Sequence, residues 1–297
     1  MAFNLFFAGC KKTEDEILYK NKAPRLYSYL NDRKEIDEYA KRPERGLLLV
    51  DSGAFSVAHS GKTVNIDEYI SYINSHPEIE YFIELDEIPY PVLNVQTAKE
   101  SAEGSWRNYL YMIERLDDPY KLLPVYHFGE DIKYLQQMLE FTYKGKHIPY
   151  ICIGGRHGVS TLEQEKYFDR IFNIIKHSSN PDVKIHVLGM TVLNSLTKFP
   201  FFSADSTTYV KQGAYGLLFS SWGPINIGDR NYKFTNFKYM PDEAKQRLLD
   251  EVHSFGYDMD ALCKDTLLRT KYNIEFTLKW MKEYQYTPSS TLTNTLF

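Results

Sequence analysis

Gly46-Leu47-Leu48-Leu49-Val50-Asp51-Ser52-Gly53-Ala54-Phe55 is an apolar run that ends abruptly in a carboxylate, a hydroxyl and a glycine. Successive aliphatic residues fit a strand covered on both faces, as in a parallel sheet, and Gly53 lets the chain turn where a side chain would obstruct it. An acid at that point sits at the carboxyl end of a strand, where α/β folds place their chemistry. On this stretch alone two readings of Asp51 are open: a site carboxylate, or a cap for the next turn.

Outward from this run the same pattern recurs: a short aliphatic or β-branched run, a polar turn, then a longer amphipathic segment. Strands are expected at Asn4 to Ala8, Leu47 to Asp51, Tyr81 to Asp86, Leu122 to His127, Tyr150 to Gly154, Lys184 to Gly189, Phe201 to Asp205 and Gly216 to Ser220. Helices are expected at Ile66 to Ile73, Val95 to Leu116, Ile132 to Tyr143, Leu162 to Ile175 and Val192 to Lys198. Alternating strands and helices imply parallel strands with right-handed crossovers, and eight strands close a barrel. An open doubly wound sheet is the competitor, but no Gly-x-Gly-x-x-Gly comes after the first strand to mark a dinucleotide crevice. The expectation is therefore an α/β fold, a (β/α)8 TIM barrel over residues 1–223. Residues 224–297 are expected as a loop and a helical appendage, with helices at Asp242 to Phe255 and Met259 to Tyr284 and a frayed Ser/Thr-rich tail from Pro288.

Composition narrows the function classes. At 297 residues and 43% hydrophobic, the chain has enough apolar material for a large core. A net charge of -4 gives no global basic footprint, so contact with a nucleic acid would come from a local patch. Cys10, Cys152 and Cys263 lie far apart and form neither a disulfide framework nor a Cys-x-x-Cys metal pair, which suits a reducing compartment. Met1 to Ala8 is apolar but too short for a signal peptide core with its flanks, and no segment approaches a membrane span. A soluble, cytoplasmic protein is expected.

The strand ends carry Asp51-Ser52-Gly53, Asp86-Glu87, His127-Phe128-Gly129, Gly154-Gly155-Arg156, Gly189-Met190 and Asp205-Ser206-Thr207. In a barrel these converge on one mouth. Acids at the ends of three different strands fit glycoside chemistry, in which one carboxylate attacks the anomeric carbon and another moves protons on and off the leaving group. A third acid can accept the adjacent N–H donors of a guanine-like edge, a role that suits Asp86. Gly154-Gly155 allows backbone amides close approach to a carbonyl, and Phe55 offers a stacking face.

Asp51-Ser52-Gly53-Ala54-Phe55, Leu85-Asp86-Glu87-Ile88-Pro89-Tyr90-Pro91, Ile153-Gly154-Gly155 and Val187-Leu188-Gly189 occur in the order of the signature segments of the tRNA-guanine transglycosylases. The chain resembles that superfamily over roughly Gly46 to Asp205. The resemblance implies base exchange at a guanine nucleotide through a covalent glycosyl-enzyme intermediate. It casts Asp205 as the nucleophile, Asp51 as the general acid/base and Asp86 as the reader of the purine edge. Ser52, Gly154, the Gly155 amide and Gly189 would help bind the base, with Phe55 and Leu188 on its two faces. His127 stands where the family usually has a base-contacting glutamine; it is read either as a donor to the base or as a structural histidine. His157, His186 and Arg156 lie near the expected mouth and are read as solvated loop residues, with contact to a 7-substituent or phosphate as the alternative.

Departures from the pattern bear on substrate. Asp205 is succeeded by Ser206-Thr207-Thr208 where the tRNA enzymes continue Pro-Thr-Arg, and Ala54 and Ser56 replace their usual Gly and Gln. Beyond Asp205 the sequence has only Cys263, too few ligands for their Cys-x-Cys-x-x-Cys zinc site, so no zinc lobe, metal or other cofactor is expected. This pattern is similar to the DNA-directed branch of phages and bacteria, which places 7-deazaguanines such as the 7-cyano form in DNA. The implied partners are DNA, with a guanine nucleotide flipped into the pocket, and a free 7-deazaguanine base. A homodimer stays open, no membrane is involved, and the setting is the host cytoplasm if the gene is a phage's. The alternatives are a tRNA-directed transglycosylase, a metal-dependent barrel hydrolase, for which no His-x-His cluster is present, and a catalytically silent nucleic-acid-binding partner subunit.

Overall fold

The computed structural model describes residues 3–9, 12–89, 93–154, 160–190, 193–228 and 235–286. In chain order, β1 (Asn4–Phe7) leads through α1 (Lys12–Lys20) to β2 (Arg25–Ser28), and α2 (Arg33–Ala40) to β3 (Leu48–Asp51). Next come α3 (Ala54–Ser60), α4 (Ile66–Asn74), β4 (Tyr81–Ile83), α5 (Val95–Ile113), β5 (Leu122–Leu123), β6 (Val125–Tyr126) and α6 (Ile132–Glu140). A small hairpin, β7 (Thr142–Tyr143) and β8 (Lys146–His147), precedes β9 (Tyr150–Gly154), α7 (Thr161–Lys176), β10 (Lys184–Leu188), α8 (Leu193–Leu196) and β11 (Ser203–Ser206). The chain continues with α9 (Thr208–Ala214), β12 (Leu217–Leu218), β13 (Ile225–Asn226), α10 (Asp242–Ser254), α11 (Met259–Lys264) and α12 (Thr266–Glu283).

The large sheet runs β5-β4-β3-β2-β1-β11-β10-β9-β6, and every pairing in it is parallel. Its two end strands are consecutive in sequence, parted only by Pro124, so they are halves of one strand and the sheet closes into a TIM-barrel-like arrangement. Leu122 and Leu123 pair with β4, while Val125 and Tyr126 pair with β9. Pro124 has no N–H to contribute, yet its carbonyl accepts from the Cys152 amide at 2.8 Å. The Val125 N–H is taken by Glu84 Oε1 at 2.7 Å, a side chain filling a gap in the ladder.

Alternation along the strands sorts the core. Phe6, Leu49, Ile83, Leu123, Val125, Tyr150 and Cys152 form one cluster inside the barrel. Leu5, Leu48, Val50, Phe82, Tyr126, Ile151, Ile153, Ile185, Val187 and Ala204 join a second cluster with the surrounding helices. Both strand faces are covered, which is why the strands read as unbroken apolar runs. At roughly 1.5–3 kcal/mol per buried aliphatic or aromatic side chain, these two layers dominate the folding free energy.

Seven of the eight expected strands are in the barrel, and one is not. Gly216 to Ser220 contributes β12, which pairs antiparallel with β13 in a separate hairpin. The barrel's remaining strand is β2, Arg25–Ser28, whose composition hid it: Arg25 is wholly buried against Asp15 at 2.8 Å, with its guanidinium 4.6 Å from the Tyr27 ring centroid. Because β11 pairs with β1, the closed barrel leaves no edge for residues 216–220. The segment Ile132 to Tyr143 is helical only to Glu140; Lys144 (φ 48°) and Gly145 (φ 78°) then turn the β7–β8 hairpin. Met259 to Tyr284 divides at Asp265, whose carboxylate accepts the Leu267 and Leu268 amides and starts α12.

The helices after the barrel pack directly on it. The expected division between Gly223 and Pro224 falls inside the β12–β13 hairpin. A Cβ on Gly213 of α9 would lie 2.4 Å from Thr270 Oγ1, so only glycine permits this crossing of α9 and α12. Asn273 accepts the Phe219 N–H at 2.9 Å and donates to the Leu217 carbonyl at 3.1 Å. No helix among the described residues is long and apolar enough to cross a membrane.

Glu84 is 1% exposed, and burial pushes its carboxyl well above the usual range. Its Oε2 has no hydrogen-bond partner among the described residues. The native state thus keeps a proton that the unfolded chain loses above about pH 4.3, so Glu84 lowers stability as pH rises from there, by up to about 1.4 kcal/mol per pH unit. Glu84→Gln copies the protonated form. Its Tm advantage over the wild type should be larger at pH 8 than at pH 5; an equal or smaller gap at pH 8 contradicts a buried, protonated Glu84.

Candidate active site

The run that includes β3 ends where the site begins. Leu48, Leu49 and Val50 are fully buried, and Asp51 shares the interior face with Leu49 by alternation. Gly53 takes φ 93°, and a Cβ there would lie 2.6 Å from Leu30 Cβ, so the turn requires glycine. The Gly53 N–H donates to Asp51 Oδ2 at 3.1 Å. Asp51 therefore does cap its turn, and it is a site carboxylate too: burial, and after it the charges of Asp86 and Asp205, push it up to about 7. Ser52 is wholly buried and its hydroxyl points to Asp86 Oδ1 at 3.4 Å.

Asp86 lies on a segment pinned by the small-residue face of α5. Asn108 donates to the Leu85 carbonyl at 2.8 Å, Ser105 accepts the Glu87 N–H at 2.8 Å, and Ser101 donates to the Glu87 carbonyl. From the other side His127 Nε2 contacts Asp86 Oδ2 at 2.9 Å, while its Nδ1 contacts Glu130 Oε1 at the same distance of 2.9 Å. Burial pulls the His127 imidazole down, but the hydrogen bonds and charges of Asp86 and Glu130 outweigh it and hold the pKa at about 10. His127 is thus an imidazolium donating from both nitrogens, which leaves neither free for a base and makes it the support of Asp86. Gly154 closes over it: a Cβ there would come within 3.3 Å of His127 Cα.

Asp205 sits at the end of β11, in register with the interior residue Phe6 of β1. Its Oδ1 accepts the Gly189 N–H at 2.8 Å and lies 3.2 Å from His186 Nε2. Gly189 has φ 63°, a turn that aims its amide back at the carboxylate. Oδ2 has no hydrogen bond among the described residues, so one oxygen is held and the other is available.

The structure therefore brings Asp51, Ser52, Asp86, His127, Gly154, Gly189 and Asp205 to one end of the barrel. Leu188 closes β10 beside them and packs on the interior cluster. Phe55 is differently placed, 63% exposed on the first turn of α3 and stacked on His59 at 4.2 Å between ring centroids. Gly155, Arg156 and His157 lie outside the described residues. His186 is not the solvated loop residue expected: it is wholly buried in β10. The alternation that marks Lys184 to Gly189 as a strand already puts it on the face opposite Ile185 and Val187, and that signal identifies it. Glu130 and Ser203 were also missed, and no feature of the sequence around Glu130 announces it. Among the described residues no group of three or more His, Cys, Asp or Glu side chains converges as a metal site.

No protein-family model matches the chain, and no curated protein matches it significantly.

The native state holds the His127 proton after the unfolded chain has lost it. Stability from this proton is complete below about pH 6.5 and is lost as pH rises towards about 10. The wild type should therefore lose stability between pH 6.5 and 9.5 more steeply than His127→Gln, by urea midpoints; parallel slopes contradict the doubly donating imidazolium. His127→Phe leaves Asp86 and Glu130 buried without their partner and should cost about 3–5 kcal/mol at pH 7.

Proposed function

We propose that the chain is a base-exchange glycosyltransferase that replaces guanine in DNA with a 7-deazaguanine through a covalent intermediate on Asp205. One observation carries this reading: two carboxylates at the barrel mouth with different settings, Asp51 poised at about 7 and Asp205 held at one oxygen only. A double displacement at an anomeric carbon asks for such a pair, one group to move protons and one to attack.

In the first displacement Asp205 Oδ2 forms a bond to C1′ as the bond from C1′ to the guanine nitrogen breaks, and protonated Asp51 gives its proton to the departing base. In the second, the incoming base loses its ring N–H proton to Asp51, and the freed nitrogen attacks C1′ while Asp205 departs as a carboxylate. Two inversions retain configuration. Asp86, held by the His127 imidazolium, accepts the N–H donors of the guanine edge, and Ser52 steadies it.

The chain beyond Asp205 favours DNA over tRNA. Ser206-Thr207-Thr208 leads into α9, and the later helices pack on the barrel through Asn273 and the Gly213–Thr270 crossing, with Cys263 exposed on α11. These helices occupy the part of the chain where the tRNA enzymes build their zinc lobe.

The test is incorporation of labelled 7-deazaguanine into guanine-containing DNA, with tRNA in a parallel reaction. Label should enter DNA, and Asp205→Ala should reduce uptake by on the order of 10³-fold or more. Undiminished uptake in that variant overturns the assignment, and label in tRNA alone replaces the substrate. Adduct formation, which needs protonated Asp51, should slow as pH rises through about 7, whereas capture of the incoming base should slow as pH falls through it. Asp51→Asn should abolish both dependences.

A further inference from the structure

We infer that His186 is a positioning residue for Asp205, fixed by Ser203 and Tyr150 so that its Nε2–H donates to the carboxylate oxygen that does not attack. The inference rests on the base-exchange reading and extends it inward, to residues that touch no substrate.

The strands place these groups in one line. His186 and Ser203 are register partners on β10 and β11, and Asp205 lies two residues beyond Ser203 on the same interior face. His186 Nδ1 is 2.6 Å from Ser203 Oγ and its Nε2 is 3.2 Å from Asp205 Oδ1. The Tyr150 hydroxyl hydrogen-bonds Ser203 Oγ from the far side. His186 and Ser203 are wholly buried and Tyr150 is 2% exposed, so solvent does not compete for these bonds.

For a neutral imidazole, proton accounting selects one arrangement. An ionised carboxylate only accepts, so the hydrogen facing Asp205 belongs to Nε2. With the imidazole neutral, Nδ1 must then accept, and Ser203 supplies that hydrogen. Ser203, having given its only hydrogen, accepts from Tyr150. Each donor in the line has an acceptor. The interior beneath Asp205 thus serves to hold one tautomer of one histidine.

Which oxygen is held decides the effect on reactivity. Oδ1 receives both His186 Nε2–H and the Gly189 N–H. When Oδ2 is joined to C1′, Oδ1 becomes the carbonyl oxygen of a glycosyl ester; as that ester breaks, negative charge returns to the carboxylate and both donors stabilise it. The same donors make Asp205 a slightly weaker nucleophile in the first displacement. Their contribution is therefore larger in the second step, the release of Asp205. A merely structural histidine would affect both steps alike or only stability.

Two measurements on the full chain separate this role from the underlying reading. In 15N-histidine NMR at pH 7, His186 should be neutral with its proton on Nε2, and Ser203→Ala should disturb that form; any other protonation form in the wild type overturns the relay. In single-turnover reactions with DNA, the decay of the protein–DNA adduct after addition of 7-deazaguanine should slow about 100-fold in His186→Leu, while adduct formation changes about threefold or less. His186→Gln, which keeps a side-chain N–H, should recover part of the decay rate. Equal slowing of both steps, or none, overturns the positioning role. If the wild type forms no adduct with any nucleic acid, the base-exchange reading fails and takes the kinetic role with it, while the NMR result still decides the hydrogen-bonded relay.

Discussion

Three carboxylates at the ends of parallel strands repel one another, and the mouth of this barrel is built to contain that repulsion in three ways. Asp51 is pushed up to about 7 by burial and by its two neighbours, so it carries a proton for part of the physiological range. Asp86 is matched by the His127 imidazolium, itself shared with Glu130. Asp205 is held by a histidine and a backbone amide on a single oxygen. Each solution leaves its carboxylate in a different setting: one poised to exchange a proton, one held beside a cation, and one held at a single oxygen. The difference comes from surroundings alone, since all three side chains are aspartates.

Those surroundings depend on the closed sheet. A strand split at Pro124 joins β4 to β9, and Glu84 satisfies the amide that the split would leave unpaired. Closure brings β3, β4 and β11 to one mouth, and it carries His127 at the end of the split strand to Asp86 at the end of the neighbouring one. The docking of Glu87 on Ser101 and Ser105 of α5 fixes the segment that bears Asp86, and Ser101 Oγ also lies 3.2 Å from Glu130 Oε1. Packing outside the barrel thus determines side-chain geometry inside its mouth. Below it, Tyr150, Ser203 and His186 replace apolar filling with a hydrogen-bonded line that ends on Asp205.

Much of this was legible in the sequence because burial on both faces leaves a plain mark. Leu47 to Val50, Tyr150 to Ile153 and the run around Val187 read as strands without ambiguity, and the acids that end such runs stand out. Arg25–Ser28 left no such mark: a strand that buries an arginine against Asp15 looks polar, and residues 216–220 took its place in the count. The pairing of His127 with Glu130 was illegible for another reason. It depends on a turn after β6 that folds residue 130 back over residue 127, and the local sequence does not specify that geometry. His186 shows the opposite case. Strand alternation alone puts it inside, and the expectation of a solvated loop residue at the mouth overlooked that signal.

The central claim is that Asp205 is the attacking group. It is tested most directly by incubating the protein with guanine-containing DNA in the absence of an incoming base, denaturing the mixture, and mapping the cross-linked peptide by mass spectrometry. One adduct should form, a glycosyl ester on Asp205, and it should disappear when 7-deazaguanine is added before denaturation. An adduct on Asp51 or Asp86, or base release with no adduct on Asp205, would contradict the claim.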